Sequence, residues 1–271
     1  MLREFRECKE FRELKESKKF KKFKKFKEYK EFREYKECKE FKEFMKLTLD
    51  IGNTAVKWAT FEGHTLVEHG HGLPADKLAA AEEVLMCASG EVPEELQGLP
   101  RLTAATPLPI RLDYKTPDTL GADRIAAACG AWALHRGEPS VVIDAGTCIT
   151  VDFIDGAGVY HGGAIMPGLR MNLQALHTFT EKLPLIDIDG ITKAPVLGRS
   201  TEECLVAGTL GATMLALAGY VALYREKCPA LRVLLTGGDA GRLTAAGATG
   251  WEAVPELTLL GLNEIMTHHE E

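Results

Sequence analysis

The chain of 271 residues lacks the cysteine spacing that is typical of structural metal sites and redox sites. Its seven cysteines include no Cys-x-x-Cys pair, which excludes a zinc knuckle and a redox dithiol of that type. Free, mostly buried thiols in a reducing compartment are the simplest interpretation of this pattern. We therefore expect a cytoplasmic protein.

Positive charge is scarce after the first 44 residues. Residues 1–44 hold 17 Lys and Arg against 11 Glu, whereas residues 45–271 hold 16 Lys and Arg against 28 Asp and Glu. The resulting net charge of −12 disfavours nucleic acid as a partner of the second part, because its phosphates would be repelled. With 45% hydrophobic and 27% charged residues, the whole chain has the composition of a folded protein.

Residues 1–44 also lack the apolar stretch of a secretory signal. They repeat every three residues, with a basic residue, then Glu or Lys, then mostly Phe, Tyr, Cys or Leu. A three-residue repeat forms no fixed apolar face on a helix of about 3.6 residues per turn. We predict a disordered, low-complexity extension, with a membrane-binding or nucleic-acid-binding arm as the alternative. We expect the working globular part to begin at Met45.

One run of twenty residues, 205–224, has no charge. Its length would allow it to span a bilayer. However, its many Gly, Ala and Thr residues make it only mildly apolar, and charged residues flank it on both sides. We predict a buried helix whose small residues suit close packing at a subunit contact, with a transmembrane helix as the alternative.

Two hairpin-like segments share one pattern, LTLDIGNTAVKWATFEG at 47–63 and VVIDAGTCITVDFIDG at 141–156. In each, an apolar strand ends in Asp and turns through Gly and Thr into a second strand. Such a turn brings a carboxylate, backbone N–H groups and a hydroxyl together, as a phosphate with its cation requires. Either hairpin alone could be an ordinary tight turn. The repetition favours a nucleotide held between the two turns.

Strand and helix patterns alternate after Met45. Helix-length patterns cover 119–137 and 200–227, and a third strand at 232–236 runs into a glycine-rich turn. This alternation predicts an α/β protein in two related halves, an N-terminal lobe at 45–138 and a C-terminal lobe at 139–271.

Five motifs together resemble those of the type III pantothenate kinases. They are Asp-x-Gly-Asn-Thr-x-x-Lys at 50–57, Gly-Ala-Asp-Arg at 121–124, Asp-x-Gly-Thr at 144–147, GGAIMPGLRM at 162–171 and TGGDA at 236–240. The resemblance implies the two-lobed, actin-like ATPase fold with duplicated lobes that acetate and sugar kinases, heat-shock chaperones and actin share. It also implies a homodimer.

The resemblance assigns roles to individual residues. It implies that ATP, bound with Mg²⁺, contacts Asp50, Ile51, Gly52, Asn53, Thr54, Ala55, Val56, Lys57 and Thr147. It implies that pantothenate contacts Tyr114, Gly121, Ala122, Asp123, Arg124 and Thr201. Asp123 would be the general base, Arg124 would pair with the substrate carboxylate, and Asp144 would bind a monovalent cation, K⁺ or NH₄⁺. Gly237 and Gly238 would lie beside the adenosine.

The implied reaction is ATP-dependent phosphorylation of pantothenate to 4'-phosphopantothenate, the first step of coenzyme A biosynthesis. No nucleic acid or membrane partner is expected. Two other functions stay open, a non-catalytic nucleotide-binding regulator on the same fold and a kinase for another small alcohol. Taken alone, Gly-Ala-Asp-Arg at 121–124 could also be a helix cap with a surface ion pair.

Overall fold

A computed structural model describes residues 45–103 and 105–268 of the protein. The expectation of a disordered extension at 1–44 lies outside these described residues. The strands are β1 Met45–Ile51, β2 Val56–Glu62, β3 Thr65–His71, β4 Glu83–Ala88, β5 Arg111–Leu112, β6 Ser140–Ala145, β7 Cys148–Ile154, β8 Val159–Pro167, β9 Arg232–Thr236 and β10 Glu252–Ala253. The α-helices are α1 Ala75–Ala80, α2 Ala122–Leu134, α3 Leu169–Thr178, α4 Thr201–Val206, α5 Ala212–Lys227, α6 Ala240–Ala246 and α7 Leu257–His268.

The first sheet contains four strands in the order β3-β2-β1-β4. Strands β1 and β2 form the predicted antiparallel hairpin, with Asp50 opposite Lys57. Strand β4 runs parallel to β1 on its other side. Since β1 has a neighbour on each side, most of its residues are buried, including the polar residues Lys46 and Thr48.

The second sheet repeats this arrangement and extends it. Its order is β10-β9-β6-β7-β8-β5, with β6 antiparallel to β7 and parallel to β9. The succession β8-β7-β6-β9 therefore matches β3-β2-β1-β4 in order and in strand direction. This duplication confirms the α/β class, and its strand order is that of the actin-like ATPase fold.

Helices α2 and α7 pack closely together because both have glycine at their contact. A Cβ atom added at Gly261 would lie 1.7 Å from the Ala126 carbonyl oxygen, and one at Gly130 would lie 2.3 Å from that of Leu257. Helix α7 also packs on the first sheet, where Leu259 joins Phe61 in a small apolar cluster. The last helix thus supports a sheet formed by the beginning of the described chain, and the lobe boundary near 138 stays a prediction.

Helices α4 and α5 are joined by a π-helical turn, Ala207–Gly211. The combined run Thr201–Lys227 is long and apolar enough to cross a membrane by length and composition, and 39% of its apolar window is buried inside the protein. The prediction of a buried helix is therefore correct for one face only. Leu217 and Val221 are buried in the core, whereas Leu215 and Leu223 on the other face are exposed.

Candidate functional site

The first predicted phosphate turn connects β1 with β2. The Gly52 N–H donates a hydrogen bond to the Ala55 carbonyl at 3.0 Å, which closes the turn and leaves Asn53 and Thr54 exposed. The turn after β4 lies behind it, since a Cβ atom at Gly90 would lie 2.5 Å from the Gly52 oxygen. Ile51 is buried and Val56 half-buried, so these side chains anchor the turn in the sheet.

The second predicted phosphate turn connects β6 with β7. The Gly146 N–H donates to the Cys148 carbonyl at 3.0 Å, and Thr147 is exposed at the tip. The Gly168 N–H donates to the Thr147 carbonyl at 3.0 Å, and a Cβ atom at Gly168 would lie 2.4 Å from the Gly146 oxygen. The glycine of the motif GGAIMPG therefore lets the start of α3 lie directly against this turn.

The two turns meet. The hydroxyl oxygens of Thr54 and Thr147, 93 residues apart in the chain, are 3.2 Å apart and share a hydrogen bond. Each hydroxyl lies at the exposed tip of its own hairpin. The two duplicated hairpins consequently face one common cleft, as the repeated pattern predicts.

Three carboxylates from three elements converge beside these turns. Burial, and then the charge of Asp50, raise the pKa of Asp144 to about 7, and the charge of Asp123 acts in the same direction. Burial also raises the pKa of Asp50, and Asp123 adds to this effect. Lys57 acts in the opposite direction on both Asp50 and Asp144. The cleft therefore concentrates negative charge that a bound cation would stabilise.

Asp50 has a further partner in the first sheet. Cys87 lies beside it in the parallel register of β1 and β4. The buried Cys87 thiol donates to Asp50 Oδ1, with the sulfur 3.4 Å from the oxygen. Burial, together with the charge of Asp50, raises the pKa of this thiol, so Cys87 is a neutral donor and no nucleophile.

The third predicted turn, after β9, lies against Asp144. Gly237 has a φ of +91°, and a Cβ atom there would lie 2.4 Å from Asp144 Oδ1. The Asp239 N–H donates to the Ala145 carbonyl at 2.9 Å. Only glycine fits at position 237, because a side chain would be strained and would collide with the carboxylate.

Asp123 lies in the first turn of α2. The backbone N–H of Arg124 donates to Asp123 Oδ1 at 2.9 Å. A Cβ atom at Gly121 would lie 2.4 Å from the same oxygen, so the glycine before Ala122 leaves room for the carboxylate. No described residue donates a hydrogen bond to Asp123 Oδ2. This oxygen can accept a hydrogen bond from a substrate hydroxyl.

Arg124 is buried and already has a carboxylate partner. Its Nε lies 3.1 and 3.2 Å from the two oxygens of Asp152, and its Nη2 lies 2.5 Å from Oδ1. Although burial opposes the charge, the hydrogen bond and the charge of Asp152 hold the pKa of Arg124 above its usual value, and the nearby Tyr114 acts in the same direction. The structure thus brings Tyr114, Asp123 and Arg124 together.

Thr201 was also predicted to contact pantothenate, but the structure does not connect it with this group. It is exposed at the first position of α4, after Ser200, whose hydroxyl caps the helix. Within the described part of the chain, no hydrogen bond joins Thr201 to Tyr114, Asp123 or Arg124. The substrate contact of Thr201 therefore stays a prediction.

The side chains of the cleft that could act as metal ligands restrict how a metal ion could bind. Within residues 45–103 and 105–268, no three His, Cys, Asp or Glu side chains lie close enough together to hold a metal ion by themselves. Mg²⁺ commonly takes one or two carboxylates and completes its shell with water and phosphate oxygens. The carboxylate of Asp50 at the first turn fits this type of binding, and the carboxylate of Asp144 is available for a second cation.

Comparisons with known proteins agree with this geometry. A sequence profile of the type III pantothenate kinase family matches residues 100–223. The type III pantothenate kinase of Phocaeicola vulgatus is 37% identical over 243 residues, which cover 84% of this chain and 100% of the relative. That of Bacteroides fragilis is 38% identical over 241 residues, covering 83% of this chain and 98% of the relative.

The chain belongs to the type III pantothenate kinase family. A solved structure from Campylobacter jejuni, described as a Baf family transcriptional activator, has a TM-score of 0.52 and 21% identity and covers 83% of this chain and 98% of its own. At that identity the likeness concerns the fold alone. In this type III pantothenate kinase family member, the two predicted phosphate turns are in contact through Thr54 and Thr147.

Two site residues of this type III pantothenate kinase were not predicted from its sequence. Asp152 accepts hydrogen bonds from the Arg124 side chain, and the Cys87 thiol donates a hydrogen bond to Asp50. The signal for Asp152 was present, since an acidic residue in the middle of the apolar strand ITVDFI predicts a buried, paired charge. No comparable signal identifies Cys87, because a buried cysteine in a strand is commonplace.

The raised pKa of Asp144 predicts how the stability of the ligand-free enzyme depends on pH. Between about pH 4, where Asp titrates in an unfolded chain, and pH 7, the folded protein binds a proton that the unfolded protein has released. Stability therefore falls as pH rises through this window. Asp144→Asn removes the penalty, so the variant should exceed the wild type above pH 7 by at most about 4 kcal/mol in free energy of unfolding. Urea unfolding at pH 4.5 and 8.5 measures the difference.

Asp155→Asn is the control, because its effect should have the opposite sign. His161 and the backbone N–H groups of Val159 and Ala157 lower the pKa of Asp155 against the effect of burial. Its replacement should lower stability at neutral pH. An Asp144→Asn protein with the same gap from wild type at both pH values would contradict the prediction.

Proposed function

We infer that the chain transfers the γ-phosphoryl group of ATP to the hydroxyl of pantothenate, which is the first step of coenzyme A biosynthesis. The relatives that match it over at least 98% of their own length are named type III pantothenate kinases. The observation that carries the proposal is the contact of Thr54 with Thr147, which brings two phosphate turns to one cleft beside Asp123.

The phosphate side of the cleft suits a triphosphate. The turns at Gly52–Thr54 and Gly146–Thr147 offer backbone N–H groups and hydroxyls, which phosphate oxygens accept. Lys57 supplies positive charge beside Asp50. Mg²⁺ bound with the nucleotide would be held through Asp50 and the phosphates and would neutralise charge on the transferred group.

The acceptor side lies at the start of α2. We propose that Asp123 accepts the proton of the pantothenate hydroxyl through Oδ2, while the Arg124 N–H fixes Oδ1. In a loose phosphoryl-transfer transition state the base mainly orients the hydroxyl and takes its proton late, which a carboxylate can do. Arg124 and Tyr114 would bind the substrate carboxylate, and Gly121, Ala122 and Thr201 would complete the pocket.

A monovalent cation would bind at Asp144. The carboxylate there is partly buried among Asp50 and Asp123, so its charge is poorly stabilised by the protein itself. Potassium or ammonium next to Asp144 would stabilise the ionised form and bring positive charge to the phosphate tail. Because Gly237 has no side chain, its backbone lies beside Asp144 without a collision at Oδ1.

We also propose that the enzyme is a cytoplasmic homodimer. Cys87, Cys129, Cys148, Cys204 and Cys228 are all free thiols, as expected in a reducing compartment. Among the described residues, eleven large hydrophobic side chains are exposed, and eight of them lie between positions 165 and 223, including Leu215 and Leu223 on α5. Such an accumulation favours a subunit contact formed by this region.

The reaction is tested by measuring ADP release with pantothenate, with a panel of sugars and with no acceptor, each in potassium and in sodium. We expect release that requires pantothenate and is faster in potassium, because the cation beside Asp144 belongs to the active state. Release that requires a sugar would support another alcohol kinase. Nucleotide binding without acceptor-dependent release would support a regulator.

Asp123→Asn should remove catalysis while leaving ATP binding and the fold intact. Loss of a general base costs roughly 100-fold or more in kcat, and the isosteric amide retains the packing at Gly121. Single-turnover kinetics, with nucleotide binding by calorimetry, separate the two effects. Asp118→Asn, an exposed change in the preceding turn, is the control and should be neutral. Turnover near that of wild type in Asp123→Asn would show that Asp123 is not the general base.

The paired change Leu215→Glu and Leu223→Glu should convert the dimer into a monomer. Charges at two exposed leucines of α5 would have to be buried at the proposed contact, at a prohibitive desolvation cost. Light scattering after gel filtration should give twice 29.7 kDa for the wild type and the single-chain mass for the variant. Val67→Glu, at an exposed site on β3, should stay dimeric. A wild type of single-chain mass would refute the dimer.

A further inference from the structure

A buried acidic residue, Asp152, lies in the middle of β7. Its side chain is 1% exposed, and it accepts hydrogen bonds from Arg124 Nε and Nη2 and from the Tyr160 hydroxyl, which lies 2.6 Å from Oδ1. Tyr160 is itself fully buried. A charge is rarely buried to this extent unless its surroundings determine its position closely.

The contacts fix which side of the guanidinium is occupied. Asp152 takes the edge formed by Nε and Nη2 of Arg124. A guanidinium has a second edge, formed by Nη1 and Nη2, with the fork geometry that matches a carboxylate. The ring of Tyr114 lies over Gly162, with its centroid 6.0 Å from that of the Tyr160 ring.

We propose that Asp152 and Tyr160 are positioning residues that orient Arg124 so that its second edge faces the acceptor, and that they thereby set the preference for an acceptor with a carboxylate. The proposal rests on the proposed function, because it assumes that the acceptor binds beside Arg124. Neither residue touches the reacting atoms; both act through Arg124.

The charges explain why orientation matters here. The Arg124 and Asp152 pair is neutral as a unit, so it attracts a carboxylate weakly through net charge. Recognition then depends on two parallel N–H donors aimed at the carboxylate oxygens. The Tyr160 hydroxyl holds Asp152 Oδ1, which prevents the carboxylate, and the guanidinium with it, from rotating.

The connection to the catalytic group is short. The backbone N–H of Arg124 donates to Asp123 Oδ1, so the proposed base and the proposed carboxylate ligand are consecutive residues in one turn of α2. Fixing the Arg124 side chain therefore places the acceptor carboxylate at a set distance from Asp123. A hydroxyl acid bound in this way has its alcohol directed to the base.

The test compares pantothenate with its neutral primary amide in wild type, Tyr160→Phe and Asp152→Asn. We expect wild type to prefer the acid. Tyr160→Phe should raise the KM for pantothenate roughly 3- to 10-fold, and Asp152→Asn should raise it at least about tenfold. In both variants the ratio of kcat/KM for acid over amide should fall toward one, while the KM for ATP stays within about twofold.

Two controls accompany these variants. Tyr220→Phe removes a phenol hydroxyl from α5, and Asp155→Asn changes an acidic residue near the end of β7 that pairs with His161; both should keep the acid preference. If acid and amide lose the same factor in Tyr160→Phe, the two residues have a merely structural role and the proposal is wrong. Because this conclusion depends only on Tyr160→Phe, it can be drawn even if Asp152→Asn fails to fold. Failure of the proposed function is distinct, since wild type itself would then show no pantothenate-dependent ADP release.

Discussion

The structure depends on the contact between two hairpin turns that the chain forms from separate, related segments. The hydrogen bond between Thr54 and Thr147 joins turns from different sheets, and each turn is supported from behind by a glycine that a larger residue could not replace, Gly90 or Gly168. The backbone N–H groups of the two turns therefore lie near one another, where they can donate to the phosphates of a single triphosphate.

The same contact concentrates charge that the folded protein stabilises poorly by itself. Asp50, Asp123 and Asp144 approach each other from the ends of two strands and the start of a helix. The charge of Lys57 offsets only part of the rise in the pKa of Asp50 and Asp144. The ionised carboxylates therefore lower the stability of the ligand-free protein at the place where ligands bind. A nucleotide bound with Mg²⁺ would stabilise these carboxylates, and its binding would then raise the free energy of unfolding.

Much of this arrangement could be predicted from the sequence because it follows from local sequence patterns. The hairpins, the helices after Gly121 and Ser200, and the strand before Gly237 all follow from apolar runs that end in turn residues. The partners of buried polar groups could not be predicted, since the contact of Arg124 with Asp152 depends on which strand lies next to α2. Cys87 likewise reaches Asp50 only through the parallel pairing of β1 and β4.

A crystal structure with a non-hydrolysable ATP analogue and Mg²⁺ would show whether the two turns bind one nucleotide. We expect one nucleotide whose phosphates contact both the Gly52–Thr54 turn and the Gly146–Thr147 turn, with the terminal phosphate directed toward Asp123. A nucleotide that contacts only one of these turns, with the other facing solvent, would contradict this expectation.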